Sequence, residues 1–357
     1  MSFLEKSLHH MITDQPIALE RTYKWLSENM EDILKYLSGI RNLFLVGCGD
    51  SYFASIYGMY FFECFTSVRA YAENAFEFLR YRKNFDRDDG LIAVSASGRT
   101  SKTVDAAKYA KDNGLVVLSI TNNPDSPLAG IADYNILTQV EKPYGPPSAT
   151  STTALLSLAI CGLYLGREQK RISEKEFDIL IEDLEKILKI IRNEIESIKG
   201  KTDELAELLS NYDKVYLIGS GPSYVSALFG GAKLREAAWM HSIPFEAEEF
   251  SHYGMISLDE HDIAMLIVHQ GHSLDKMLAI FNALKKIGVK TIVLTSLPDK
   301  FRDPELIIKL PEVNEYISPI IDIIPLQITA IKTAMCKRLD VRGFRYSNIL
   351  SKLIGYY

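Results

Sequence analysis

Short apolar runs alternate along the chain with longer amphipathic stretches, and this alternation predicts the fold. The runs are Leu43–Val46, Leu91–Ser95, Val116–Ile120 and Tyr134–Leu137 in the first half, and Val215–Ile218, Ile263–Val268, Thr291–Leu294 and Leu306–Lys309 in the second. Continuous apolar strands separated by helices are typical of a parallel sheet that helices cover on both faces. The pattern therefore predicts an α/β protein built on parallel sheets.

The same sequence pattern occurs twice. The run Leu43–Val46 is followed by G-C-G-D-S-Y at 47–52, and the run Val215–Ile218 is followed by G-S-G-P-S-Y at 219–224. A second match, A-E-N-A-F at 72–76 against A-E-E-F at 247–250, comes later in each half. Two matches in the same order favour an internal duplication.

The length of 357 residues also favours two domains. We predict a first domain with its N-terminal helices over residues 1–170 and a second domain over 211–357. Residues 171–210, rich in Glu, Lys, Ile and Leu at helical spacing, are predicted to form connecting helices with a solvated charged face.

Composition narrows the class of protein. A net charge of −6 argues against a general nucleic-acid binder, which needs clustered Lys and Arg. The four cysteines are far apart and form no C-x-x-C pair, which favours free thiols in a reducing compartment. No signal peptide is visible, and no apolar run approaches the ~20 residues of a membrane helix. We expect a soluble, cytoplasmic protein that binds neither nucleic acid nor membrane.

The segment S-A-S-G-R-T-S at 95–101 is the strongest candidate for chemistry. It joins the strand at 91–94 to a predicted helix over 102–113, which Gly114 would end. Unpaired N–H groups at a helix N-terminus favour an anion, and hydroxyl groups can donate to phosphate oxygens. The alternative is that Thr100 or Ser101 is only a helix cap. The loop lacks the P-loop pattern, and Tyr52 and Tyr224 replace the third glycine of a dinucleotide fingerprint, so we expect no NAD and no other cofactor.

These motifs resemble the sugar isomerase (SIS) family, in particular the isomerase domains of glutamine–fructose-6-phosphate transaminases and the related glucosamine-6-phosphate deaminases. The residues that carry the resemblance are the G-x-G-x-S turn, S-x-S-G-x-T, I-T-N at 120–122 and the Ser/Thr-rich turn at 148–151. The resemblance implies two tandem SIS domains. It also implies that Ser51, Ser95, Ser97 and Thr100 bind the phosphate of a hexose or amino-sugar 6-phosphate, with Ser148, Ser151 and Lys233 as further substrate-binding residues. Ala96 and Arg99 stand where the transaminases often have Gln and Glu.

The resemblance places the catalytic candidates in the second half. K-L-R-E at 233–236 is similar to the family's K-L-K-E, which implies that Glu236 carries a proton between C1 and C2. E-F-S-H at 249–252 is similar to E-L-K-H, whose His assists ring opening, so His252 takes that role. S-N-I-L-S-K at 347–352 is similar to P-R-N-L-A-K, so Lys352 would form an imine. The alternatives are a surface Glu236 paired with Lys233 or Arg235, and a solvated Lys352 in a frayed tail; the apolar residues after 352 favour a docked tail.

Other histidines are weaker candidates. His269 and His272 follow a strand and could line a cleft, but turn histidines are often polar surface, and no histidine pair has convincing metal-ligand spacing. We therefore expect no metal.

Without a recognisable glutaminase segment, deamination of glucosamine 6-phosphate to fructose 6-phosphate and ammonia becomes the expected activity. The alternatives are an aldose–ketose isomerase, a fructosamine-phosphate deglycase, an ammonia-using synthase half, and a sugar-phosphate sensor without catalysis. By resemblance we expect a homodimer with one active site per chain.

Overall fold

The computed structural model describes residues 2–141, 145, 146, 148–339 and 345–354, with the side chains of 194, 347, 348, 351 and 354 excepted. The apolar residues Tyr356 and Tyr357, on which the expectation of a docked tail partly depends, lie outside the described residues.

Two parallel five-stranded sheets form the framework, which confirms the predicted α/β class. The first sheet contains β1 (Asn42–Gly47), β2 (Arg69–Asn74), β3 (Asp89–Val94), β4 (Val116–Thr121) and β5 (Tyr134–Leu137). The second contains β6 (Lys214–Gly219), β7 (His241–Glu246), β8 (Ile263–Val268), β9 (Lys290–Thr295) and β10 (Leu306–Lys309). Every predicted strand is present, and β2 and β7 are edge strands that the apolar pattern did not predict.

Helices follow the strands in the order that crossover connections require. In the first half they are α1 (Phe3–Leu37), α2 (Asp50–Phe65), α3 (Ala75–Tyr81), α4 (Ser101–Asp112), α5 (Pro127–Ile131) and α6 (Ala149–Glu168). In the second half they are α7 (Glu174–Ser210), α8 (Pro222–Ala238), α9 (Ala247–Glu249), α10 (Leu274–Ile287), α11 (Pro319–Cys336) and α12 (Ser347–Ile354). A π-helical turn at Phe250–Gly254 continues α9, and short 3₁₀ turns occur at Met255–Ser257 and Pro298–Lys300.

The duplication is visible in the topology. The strand order β2-β1-β3-β4-β5 of the first sheet matches β7-β6-β8-β9-β10 of the second, strand for strand in chain order. The turn after the first strand of each copy also has the same backbone, with φ of 57° at Gly49 and 54° at Gly221. The ψ values are −128° and −131°, and glycine adopts this combination of positive φ with negative ψ most readily because it lacks a Cβ, which explains why both G-x-G motifs keep it.

The chain divides into two compact units. The first-sheet unit comprises the described residues within 13–143, 147–188 and 350–357, and the second-sheet unit those within 1–12, 144–146 and 189–349. The long helices α1 and α7 each contribute residues to both units. The predicted domain borders at 170 and 210 stay a prediction.

Each sheet carries apolar side chains on both faces. In the second-sheet unit Leu217, Met265 and Ile292 belong to one buried cluster, whereas their neighbours Ile218, Leu266 and Val293 belong to another. Successive strand residues point to opposite faces, so the two clusters are the two covered faces of one sheet. Truncating a buried residue of this kind to Ala typically costs about 2–5 kcal/mol.

Two helices, α6 and α11, are longer and more apolar than the sequence analysis predicted. By length and hydropathy, α6 and α11 could each cross a membrane, but 94% and 89% of their apolar windows are buried within the protein. The core helix of a soluble protein passes the same test, so this is weak evidence for a membrane span.

Candidate phosphosugar site

The loop that follows β3 is a tight turn anchored to the sheet. Gly98 has a φ of 62°, a left-handed conformation that glycine adopts without steric cost. Its N–H donates to the Ser95 carbonyl (2.9 Å), and the Ser95 N–H donates to the carbonyl of Ile120 on β4 (3.0 Å). The loop is therefore fixed where the chain passes from β3 into α4.

Hydroxyl groups surround this turn. Ser95 Oγ donates to Thr100 Oγ1 (3.2 Å), and Ser97 Oγ accepts the Arg99 N–H (3.2 Å). Thr100 occupies the N-cap position of α4, yet its side chain makes no capping hydrogen bond. A role for Thr100 as a mere helix cap is therefore not supported. The first N–H groups of a helix lack intrahelical partners, so the start of α4 adds donors and a favourable dipole for an anion.

Ser51 lies at the same edge of the first sheet. Strands β1 and β3 are parallel neighbours, so the turn after β1 lies beside the loop after β3. Ser51 is half-buried in the first turn of α2, and its N–H donates to the Cys48 carbonyl (3.2 Å). In open parallel sheets, ligands bind at these carboxyl ends of strands.

The start of α6 completes the hydroxyl set of the first-sheet unit. Ser148 precedes α6 and Ser151 lies in its first turn, with 7% and 4% of their surfaces exposed. Ser151 Oγ donates to Asp50 Oδ2 (2.8 Å), which holds the start of α6 against the start of α2. Sequence reasoning missed Asp50, because the matching position of the second G-x-G-x-S turn is Pro222.

Lys233 and Glu236 form an ion pair on α8 in the second-sheet unit. Lys233 Nζ lies 2.7 Å from Glu236 Oε2, and the two side chains are 1% and 22% exposed. The alternative prediction paired Glu236 with Lys233 on the surface. The pair is present, but the Glu236 side chain is mostly buried and does not lie free on the surface. A carboxylate held by a buried cation in this way has a defined position, as a proton-transfer group requires.

His252 lies in the π-helical turn at Phe250–Gly254, and 69% of its side chain is exposed. Its Nε2 lies 3.2 Å from Glu248 Oε1. A hydrogen bond from Lys276 lowers the pKa of Glu248, so this partner is a carboxylate at neutral pH. The described contacts of the second-sheet unit thus pair His252 with Glu248 and not with Glu236. Single π-helical turns often occur at functional sites.

Lys352 lies exposed on α12. Ile349 and Leu353 on the same helix are 54% and 78% exposed, so the described part of the tail is less docked than its apolar composition predicts. The residues just before α12 are held in the second-sheet unit, because the Arg345 guanidinium lies over the ring of Trp239 at the end of α8. The distance from Arg345 Cζ to the ring centroid is 4.6 Å.

Three of the four cysteines carry thiols whose pKa is raised. Burial raises the pKa of the Cys161 thiol to about 12 and also raises the pKa of Cys48 and of Cys336. These three groups therefore stay protonated at neutral pH. Within residues 2–141, 145, 146, 148–339 and 345–354, no group of three or more His, Cys, Asp and Glu could hold a metal ion.

Comparison with known proteins decides the family. The family model described as "SIS domain" matches residues 36–161 and again residues 208–337, which together exceed half of the chain. The chain belongs to the SIS domain family. The two matches fall on the two sheets, so the fold contains two SIS domains in tandem.

Among curated SIS relatives, the chain is 29% identical over 333 residues to the isomerizing glutamine–fructose-6-phosphate aminotransferase of Thermococcus kodakarensis, covering 92% of this chain and 55% of the relative. It is 31% identical over 353 residues to the enzyme of the same name from Photorhabdus laumondii, covering 93% and 57%. The chain thus spans little more than half the length of these relatives.

Solved SIS structures share the fold. The C-terminal domain of glucosamine-fructose-6-phosphate aminotransferase from Francisella tularensis has a TM-score of 0.86 at 22% identity, covering 95% of this chain and 97% of that one. Glucosamine-6-phosphate deaminase from Thermotoga maritima has a TM-score of 0.72 at 18% identity, covering 92% and 96%.

The second SIS domain has no hydroxyl loop where the first has one. His269 follows β8 as Ser95 follows β3, but its side chain is 1% exposed and its Nε2 lies 2.9 Å from Asp322 Oδ1. The expectation of a surface turn is therefore wrong for His269, whereas His272 is 87% exposed. Sequence reasoning missed Asp322, because it lies in the apolar segment of α11 and 53 residues from its partner.

Proposed function

We propose that this chain is a phosphosugar enzyme that converts glucosamine 6-phosphate and water to fructose 6-phosphate and ammonia. The observation that supports this most is the hydroxyl-lined turn at 95–100, at the carboxyl edge of the first sheet and at the N-terminus of α4. The relatives act, by their names, on fructose 6-phosphate, which makes a sugar phosphate the natural occupant of such a turn.

Recognition of the phosphate would depend on neutral donors. Ser51, Ser95, Ser97 and Thr100 offer hydroxyl groups, and α2 and α4 offer N–H groups and dipoles. With a net charge of −6, the protein as a whole does not attract anions, so affinity has to come from these local contacts. Ser148 and Ser151 would contact the sugar.

The chemistry requires three proton movements. His252 would carry the C1 hydroxyl proton to the ring oxygen and open the ring. Glu236, positioned by Lys233, would remove the C2 proton and return it to C1. In the same conversion the amino group gives up one proton and O1 gains one, so that the 2-amino aldose becomes the C2 imine of the ketose. Water then adds at C2, its oxygen becomes the ketone oxygen, and ammonia leaves. In the route that involves Lys352, its amine adds at C2 and displaces ammonia to form an imine, as the family resemblance implies, and water then hydrolyses that imine to the ketone and the free lysine.

Free ammonia is the nitrogen species of the proposed reaction. Taking nitrogen from glutamine requires a thiolate nucleophile, and the raised pKa values of Cys48, Cys161 and Cys336 keep those thiols protonated. The same residues could catalyse the reverse reaction, synthesis of glucosamine 6-phosphate from ammonia, and the aminotransferase relatives favour that direction as the second candidate.

Two measurements test the proposal. Ammonia released from glucosamine 6-phosphate gives the overall reaction, and deuterium incorporated from heavy water at C1 of fructose 6-phosphate gives the proton transfer alone. Glu236→Gln keeps the shape of the side chain and should lower both by about 10²–10⁴-fold, and Lys352→Ala should lower ammonia release. Equal rates in the wild type and both variants would refute the catalytic assignment.

The rival without catalysis is a sugar-phosphate sensor. It predicts that glucosamine 6-phosphate and fructose 6-phosphate bind while no hexose 6-phosphate turns over and no deuterium is incorporated. Retention of Glu236, His252 and Lys352 together favours the enzyme, since a sensor needs only the phosphate turn. We also propose a cytoplasmic homodimer, which light scattering after gel filtration would test.

A further inference from the structure

His269 and Asp322 form a deeply buried polar pair in the second-sheet unit. The two side chains are 1% and 0% exposed, and His269 Nε2 lies 2.9 Å from Asp322 Oδ1. The other oxygen, Asp322 Oδ2, accepts hydrogen bonds from Ser226 Oγ (3.1 Å) and Ser318 Oγ (3.0 Å). Three donor groups thus surround one carboxylate in the interior, and Ser318 Oγ can donate either to it or to the Glu315 carbonyl (3.1 Å).

The geometry indicates which imidazole nitrogen of His269 carries the proton that faces Asp322. His269 Nδ1 is buried and has no hydrogen-bond partner among the described residues. A buried N–H without an acceptor is costly, so the single imidazole proton belongs on Nε2, toward Asp322. Asp322 lies in the first turn of α11, where the helix dipole favours a negative charge, and its three neighbours can each offer it a proton donor.

The pair connects three elements that carry or adjoin the catalytic candidates. His269 follows the carboxyl end of β8, Asp322 lies on α11, and Ser226 lies on α8. Ser226 and Lys233 are seven residues apart on α8, two helical turns, and therefore share one face of the helix. Between them, Gly230 lets α11 approach closely, because a Cβ there would lie 2.9 Å from Leu326 Cδ1.

We infer that the His269–Asp322 pair is a positioning device that locks α8 in place and so sets the position of the Lys233–Glu236 ion pair. In this copy of the duplicated domain, the position that supplies a phosphate ligand in the other copy has become an internal brace. The inference goes beyond the proposed function and rests on it in taking Glu236 as the proton-transfer group and the turn at 95–100 as the phosphate site.

The variant that tests the brace is Asp322→Asn, which keeps the shape but replaces one accepting oxygen by a donor. Displacement of a catalytic group by about 1 Å can cost about 100-fold in rate, so we expect kcat to fall by about 10- to 100-fold. The KM and the affinity for inorganic phosphate should change less than about twofold, because the phosphate turn belongs to the other unit. His269→Gln keeps a donor for Asp322 and should retain more of kcat than His269→Leu.

A matched control separates positioning from general destabilisation. Lys332, also on α11 and buried, pairs with Asp203 of α7 and has no described link to α8. Lys332→Met should lower stability and leave kcat of the folded enzyme near that of the wild type. If it lowers kcat as much as Asp322→Asn does, the positioning inference is wrong.

Hydrogen exchange tests the brace even if no substrate turns over. In Asp322→Asn, the amides of α8 (222–238) should exchange faster than in the wild type, while the amides of α2 (50–65) should exchange at the wild-type rate. In Lys332→Met, the α8 amides should also exchange at the wild-type rate. In nitrogen-15 NMR spectra, the neutral form of the His269 imidazole should carry its proton on Nε2. Unchanged α8 exchange, or a proton on Nδ1, would overturn the inference without touching the proposed function.

Discussion

Replacing Gly98 by alanine tests whether the turn at 95–100 is the phosphate site. Gly98 has a φ of 62°, and a Cβ built there would lie 2.0 Å from Ser126 Oγ and 2.4 Å from Ser126 Cβ. Ser126 cannot simply move aside, because it is 4% exposed and its Oγ accepts the Ala129 N–H at the start of α5. The turn itself must shift away from Ser126.

The magnitude follows from two separate costs. An L-residue in the left-handed region costs about 1–2 kcal/mol, and an unaccommodated methyl group in a packed site costs about 1–3 kcal/mol. Gly98→Ala should therefore lower the free energy of unfolding by about 2–5 kcal/mol. Gly114, with a φ of 87° and nothing within 4 Å of its Cβ position, is the matched control. Gly114→Ala should lose only the backbone part, about 1–2 kcal/mol.

Binding is the decisive assay. Titration calorimetry with inorganic phosphate and with glucosamine 6-phosphate, at one fixed ionic strength, should show at least about tenfold weaker binding for Gly98→Ala, equivalent to about 1.4 kcal/mol. Gly114→Ala should bind like the wild type, because it lies at the far end of α4. Wild-type affinity in Gly98→Ala would refute the phosphate turn, and equal destabilisation of the two variants would refute the predicted clash.

Three further predictions concern single groups. Ser95→Ala, which removes one phosphate donor, should raise KM by about 10-fold with kcat little changed; a fall in kcat alone would contradict it. Cys161 should resist thiol reagents at pH 8 in the folded protein and react after unfolding, because burial raises its pKa to about 12; labelling without unfolding would contradict its burial. Burial beside Glu185 raises the pKa of Tyr23 to about 12 from its ordinary value near 10. The folded state then holds this proton more tightly, so stability is full below about pH 10 and declines toward pH 12. Urea titrations should show that Tyr23→Phe reduces this decline, and an identical decline in the variant would refute the assignment.

Local patterns in the chain were sufficient for the framework. The apolar runs determine the central strands, since a strand buried on both faces needs apolar side chains at successive positions. The G-x-G turns could also be predicted from the sequence, because Gly49 and Gly221 need a positive φ that glycine adopts most readily. The edge strands β2 and β7 escaped prediction because their polar residues, such as Arg69 and His241, meet solvent and leave no apolar run.

The burial of individual polar groups was decided only by tertiary structure. Lys233 and His269 are residues of surface type, and their sequence neighbours gave no reason to expect exposures of 1%. Their environments come from partners that the fold supplies, above all Asp322, which is 53 residues from His269. A buried charge is tolerated only where hydrogen bonds and an opposite charge satisfy it, and such partners converge only after the helices have packed.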